Sequence, residues 1–200
     1  MTQNTLTGFL NILSNEVSTF IDSIDQDAIN KACNLIIESE NNHGRVHVTG
    51  IGKPGHVSGY ISSLLSSTGT PSYTLHGTEA VHGSSGQVVD GDVVIAISNS
   101  GETQELKATV ETLKSNGAKI IGVSGNDDSW LRYASDIFLF AGVNHEGDYL
   151  NKAPRASILA ETIVLQSLSI ALQYAKGLDV KQYVKWHPGG SLGKSIREGI

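Results

Sequence analysis

The chain has 200 residues, 39% of them hydrophobic and 17% charged, which is enough apolar material to bury a core and excludes disorder as the default state. Lysine and arginine number 14 against 20 aspartates and glutamates, and the resulting formal charge of −6 repels nucleic-acid backbones and anionic lipid surfaces, so neither is an expected partner. The single cysteine, Cys33, excludes an internal disulfide and a cysteine-based zinc site; it reads as a small core residue in a reducing compartment, and a cytoplasmic location is expected.

The amino-terminal MTQNTLTGFL lacks a basic segment followed by an apolar run. Uninterrupted apolar stretches fall short of the roughly 18 residues a membrane helix needs, so neither export nor a membrane span is expected. Leu6, Leu10, Leu13, Val17, Phe20 and Ile24 recur at alternating steps of four and three and define one stripe of an amphipathic helix. Asp25 is placed to cap a second helix running to about Asn42, with Ile29, Leu35 and Ile36 as its apolar contacts and His43-Gly44 as its stop. These helices, residues 1–44, pack either on the rest of the domain or on a sister subunit.

From Arg45 the pattern changes to short apolar runs alternating with helix-length segments. The runs are Val46–Val48, Ser72–Leu75, Val93–Ile97, Ile120–Val123 and Ile137–Phe140. VVIAI is hydrophobic on both faces, as a central parallel strand covered by helices on each side requires. Residues 45–200 therefore read as one α/β domain, a doubly wound five-stranded parallel sheet flanked by helices. Right-handed crossovers then line the loops after the strands along one edge, where ligands of such sheets bind. Ala156–Ala175 carries one charge, Glu161, with apolar residues around its circumference, so part of its surface is expected to meet another protomer.

The strongest local signal is Ser98-Asn99-Ser100-Gly101-Glu102-Thr103, which leaves the third strand and enters a helix with Leu106, Val110 and Leu113 on one face. Free N–H groups and the positive end of the helix dipole favour an anion, and three hydroxyls add donors suited to a phosphate monoester. The plainer alternative is a capping box made by Ser100 and Thr103. Glu102, beside this loop, most simply favours the helix dipole. Gly50-Ile51-Gly52-Lys53-Pro54-Gly55 formally matches a dinucleotide loop, but PSYTLHGT offers no ribose-binding acid before Glu79. The run from Gly189 to Ser195 suggests a P-loop, yet Pro188 stands where a glycine is needed and no strand precedes it. The seven histidines show no metal-ligand spacing, so no metal and no cofactor are expected.

In order along the chain, GIGKPGH, STGTPS, EAVHG, DVVIAISNSGETQE and WHPGGSLG resemble the motifs of the SIS (sugar isomerase) domain family, and within it most nearly the arabinose-5-phosphate isomerases. The resemblance covers about Arg45 to Ile196. It implies a five-stranded flavodoxin-like sheet, binding of a sugar phosphate, and homodimers or homotetramers with sites near subunit boundaries. It also implies site residues: Ser98, Ser100 and Thr103, with Gly101, match the family's phosphate cradle. Lys53 matches the lysine of its glycine-rich loop, which includes Gly52; Glu105 matches a glutamate near the sugar. Glu146 in HEGD, His187 in WHPGG and His82 in EAVHG match the remaining ionisable positions.

Such a set suits aldose–ketose isomerisation, in which a proton moves between C1 and C2 through an enediol. Glu105 and Glu146 are both candidates for the base. A histidine opens the cyclic sugar and shuttles a proton, and a lysine stabilises the enediolate; His187 and Lys53 take those roles. The carboxy-terminal position of His187 leads to the expectation of a site shared between subunits. Many relatives continue into tandem CBS domains, and a protein of this length is expected to lack them. Where the isomerases typically carry a Pro-Leu-Gly-Leu-Ala-Pro-Thr-Ser segment, this chain reads GDYLNKAPRAS, with Arg155 replacing a threonine, and Pro54 stands where serine is common. These loops face the sugar, and Arg155 there is placed to meet a second anionic group. Two alternatives stand beside the pentose-phosphate isomerase: an isomerase of a hexulose or heptose phosphate, and a noncatalytic phosphosugar sensor.

Overall fold

The computed structural model describes residues 2–188, with side chains from Thr5 onward. The apolar runs form strands β1 (Val46–Gly50), β2 (Ser72–Thr74), β3 (Val93–Ile97), β4 (Lys119–Ser124) and β5 (Ile137–Phe140). They pair in parallel in the order β2-β1-β3-β4-β5, with Val48 opposite Ile95, Ile95 opposite Ile121 and Val123 opposite Leu139. This is the five-stranded parallel sheet expected from the alternation of apolar runs and helical segments.

The two-sided apolarity of VVIAI is explained by what each face meets. Val93, Ile95 and Ile97 join Val46 and Val48 in a core with Ile36, Ile61, Leu65 and Leu168. That core lies under α1 (Thr2–Asp22), α2 (Gln26–Asn41), α3 (Lys53–Ser67) and α6 (Ala156–Ala175). Val94 and Ala96 face the other side, where Leu106, Val110 and Leu113 of α4 (Gln104–Ser115) and Leu131 of α5 (Trp130–Ala134) cover them. A last helix, α7, spans Val180–Trp186.

The two amino-terminal helices share the first core. Phe20, Ile29, Ala32, Cys33 and Ile36 are buried there, and burial pushes the Cys33 thiol pKa up, consistent with an inert core residue. Leu6 and Leu10, on the same stripe of α1, remain exposed, and Ile24 falls in the turn after the helix. Asp25 caps α2, accepting from the N–H groups of Asp27 and Ala28. The helix stops as a Schellman motif in which the His43 N–H reaches Glu40 O at 2.9 Å and the Gly44 N–H reaches Ser39 O at 2.8 Å. The left-handed residue is His43, with φ 67°, rather than the glycine beside it.

Counting uninterrupted apolar runs overlooks α6, which alone among the described helices is long and apolar enough to cross a membrane by length and composition. Half of that stretch is buried within the domain, against α1, α2 and α3. Core packing therefore accounts for its apolarity, while Ile170 and Leu159 remain outside.

Candidate active site

The phosphate-loop residues Ser98–Thr103 connect β3 to α4 at the carboxy-terminal edge of the sheet. Ser98 is buried; its Oγ lies 3.1 Å from Thr103 Oγ1 and accepts from the Gly101 N–H at 3.1 Å. Ser100 Oγ accepts from the Glu102 N–H at 3.2 Å. Thr103 is the N-cap of α4, but no side chain caps the helix, so the capping box read as the plainer alternative is not formed. The hydroxyls turn into the loop, and the first-turn N–H groups of α4 add the donors and positive dipole end that an anion needs. Gly101 takes φ 66°, and a side chain there would strike Ser129, so both backbone and space call for glycine.

A second layer braces this loop. Ser124 Oγ donates to Asn99 O at 3.0 Å, the Leu131 N–H donates to Gly101 O at 3.1 Å, and Asn126 Nδ2 reaches Ser100 O at 3.4 Å. Glu102 accepts from the Trp130 N–H at 2.6 Å and pairs with Lys107 at 2.6 Å. The hydrogen bond from Lys107, then that from Trp130, holds its carboxyl below the usual range. Glu102 thus ties the loop to α5, a more specific task than favouring the dipole of α4.

Four more of the expected residues lie at the same edge. Gly52, with φ 66°, turns the chain after β1 into α3, and Lys53 is the first residue of that helix, exposed. Glu105 is exposed on the first turn of α4. Glu146, in the loop after β5, is buried, and one of its oxygens accepts from the N–H groups of Arg155, at 2.6 Å, and Ser157, at 3.1 Å. The carboxylate thereby holds the start of α6 and leaves its other oxygen outside these bonds. Arg155 has a further task in the same loop: its Nη1 pairs with Asp148 and reaches Ala153 O at 3.3 Å, so it staples the loop.

Two histidines are not brought to this edge within one chain. His187 follows α7, stacked on Tyr183 with ring centres 3.9 Å apart and its Nδ1 2.8 Å from Tyr183 O. Trp186 beside it approaches Gly69, just past the carboxy-terminal end of α3, and α3 begins at the ligand edge and ends at the opposite one. His82 is exposed in the β2–β3 connection, which descends along α4 between Gly77, bonded to Thr109, and Ser85, bonded to Asn116. The glycine-rich run from Gly189 to Ser195 lies outside the described residues.

Sequence reasoning also missed His56 and His76. With Gly52, Gly55 and Thr78 they line a cleft of about 330 Å³ between the ends of β1 and β2. His76 Nδ1 lies 3.1 Å from Thr78 Oγ1. The available signal was position: His76 immediately follows Leu75, where the second run ends on the ligand edge.

A doubly wound sheet with a hydroxyl-rich anion loop after its third strand fits the SIS domain, whose sequence profile matches residues 40–171, and the chain belongs to this family. Among its relatives is arabinose 5-phosphate isomerase KdsD of Pseudomonas aeruginosa, 39% identical over 180 residues that cover 90% of this chain and 54% of that protein. The protein of the same name from Escherichia coli K12 is 39% identical over 153 residues, covering 76% of this chain and 47% of its own length. The chain thus spans about half the length of the curated relatives it matches. Among solved structures, E. coli CFT073 c3406 in complex with arabinose 5-phosphate superposes with a TM-score of 0.83 at 34% identity, covering 94% of this chain and 97% of that one. A phosphoheptose isomerase from Francisella tularensis, at 16% identity and a TM-score of 0.71 over 87% of this chain and 99% of its own, shares the fold.

Proposed function

We propose that this chain is an aldose–ketose isomerase of a sugar phosphate, acting on arabinose 5-phosphate and ribulose 5-phosphate or a close relative. The observation that carries this reading is the braced loop Ser98–Thr103 at an uncapped helix start, sharing its sheet edge with Lys53, Glu105 and Glu146. The relatives named arabinose 5-phosphate isomerase and the c3406 complex with that sugar phosphate support the pentose. The phosphate sits on the loop and α4, and a carboxylate, Glu105 or Glu146, moves the proton between C1 and C2. Lys53 steadies the enediolate charge. Substrate and product are isomers, so the transfer needs no external redox partner. A phosphorylated substrate and a buried free thiol accord with a cytoplasmic location.

The decisive experiment follows the protein by NMR in deuterium oxide with pentose, hexose and heptose phosphates. Loss of a C1 or C2 proton signal on one sugar is the expected result and identifies the substrate. Binding without exchange on every sugar would favour a sensor and overturn the isomerase. The Ser98→Ala, Thr103→Ala double variant is expected to weaken binding of all sugar phosphates alike, by at least about tenfold, since a hydrogen bond to a charged group contributes about 1.5–3 kcal/mol. Calorimetry checks this; unchanged affinity would remove the cradle.

Because His187 lies toward the opposite edge, we further propose that it serves the site of a neighbouring copy in a homodimer or homotetramer. The amino-terminal helices, residues 1–44, and exposed Leu6, Leu10 and Leu159 supply an apolar face for that association. Mixing whichever of Glu105→Gln and Glu146→Gln is inactive with inactive His187→Gln protein is expected to recover activity through hybrid oligomers. No recovery in oligomers proven to be mixed would argue against sharing.

A further inference from the structure

Helix α6 contains an unusual core residue. Glu161 is fully buried, and neither of its carboxyl oxygens has a hydrogen-bond partner among the described residues. Four positions earlier on the same stripe lies Ser157, whose hydroxyl is likewise buried without a partner and whose N–H holds Glu146 at 3.1 Å. A carboxylate removed from water and given no donors is strongly disfavoured against its neutral acid. Burial, and then the charge of Glu146, push the Glu161 carboxyl up to about 8.

We propose that Glu161 is a positioning residue for Glu146: as a neutral acid inside the α6 interface, it leaves the single negative charge of the pair on Glu146, at the edge where ligand binds. This rests on the reading that Glu146 belongs to the reacting site. Ionising Glu161 sets a second negative charge in the α6 interface near the carboxylate that Arg155 and Ser157 hold, and repulsion then pushes Glu146 away from those donors.

The surrounding titratable groups leave this pairing undisturbed. On α1, Glu16 accepts from the Asn144 N–H; on α2, Cys33 lies in the core and Glu40 pairs with Lys176 past the far end of α6. On α3, Tyr60 is bonded by Gln166 Nε2 and is exposed, as is His56. Glu146 is the charged group whose field bears on Glu161.

Two measurements test this. A pH–rate profile of the wild type is expected to fall through an alkaline limb, about tenfold between pH 7 and pH 9, as a group titrating near 8 loses its proton. In Glu161→Gln, whose amide cannot ionise, the ratio of activity at pH 9 to that at pH 7 is expected to rise about tenfold over wild type, and equal ratios in the two proteins overturn the proposal. Carbon-13 NMR of labelled glutamate carboxyls gives a readout that needs no turnover. The Glu161 signal is expected to titrate near 8 in the wild type and at lower pH in Glu146→Gln, where the like charge is gone. Identical titration in the two proteins overturns the coupling. If no sugar is turned over, the isomerase reading fails while the carboxyl titration still decides whether the pair is coupled.

Discussion

Replacing Glu105 or Glu146 by glutamine is expected to leave sugar-phosphate affinity within a few-fold of wild type, while one of the two replacements lowers proton exchange by about 10²–10⁴-fold, the range a positioned general base supplies. The structure separates what else each change touches. Glu105 is exposed on the first turn of α4, so its amide variant should fold and bind as before. Glu146 also holds the start of α6, but the amide oxygen of glutamine can still accept from Arg155 and Ser157, so the variant keeps an acceptor while losing the ability to carry a proton. Calorimetry and exchange measured on the same preparations separate binding from chemistry. Full turnover by both variants would place the base elsewhere.

At the opposite edge of the sheet, Asp92→Ala is expected to cost at least about 3 kcal/mol of unfolding free energy, since three donors lose a charged acceptor and hydrogen bonds to charged groups contribute about 1.5–3 kcal/mol each. Asp92 is fully buried and accepts from the Arg45 N–H at 2.8 Å, the Val89 N–H at 3.0 Å and His47 Nε2 at 3.1 Å. These bonds tie the starts of β1 and β3 together. Burial pushes the His47 pKa down, against the pull of Asp92, so the ring is a neutral donor whose Nε2 would be left unpaired with the two backbone groups. Denaturant titration reads the loss. Because the pair lies away from the anion loop, affinity measured well below the melting temperature should be retained, and a small stability change would refute the assignment.

Much of the architecture was legible from periodicity, because local pattern and tertiary environment agree. VVIAI shows burial on both faces, and the Leu6 to Phe20 spacing shows one helical face. The anion loop was legible too, since hydroxyls and glycine between a buried strand and a helix have few other uses. What escaped the sequence depends on distant partners. Nothing local to Arg155 reveals that Asp148 pairs with it, and nothing local to Glu102 reveals Trp130 and Lys107. Glu161 was visible as the one charge on an apolar helix, but its meaning needed the tertiary contact of α6, through the Ser157 N–H, with the loop carrying Glu146. Likewise, motif order grouped His187 and His82 with the rest, whereas the course of α7 and of the β2–β3 connection separates them within one chain.

The struts beneath Ser98–Thr103 have a thermodynamic consequence for ligand capture. Fixing one backbone residue removes roughly 1–2 kcal/mol of conformational entropy, so a six-residue loop that ordered only around its anion would forfeit on the order of 6–12 kcal/mol. That is comparable to the roughly 8 kcal/mol of micromolar binding. Here Ser124, Asn126, Leu131 and Glu102 fix the loop as the domain folds. The entropy is lost at folding, before any encounter, and a handful of contacts to a small anion then suffices to hold it.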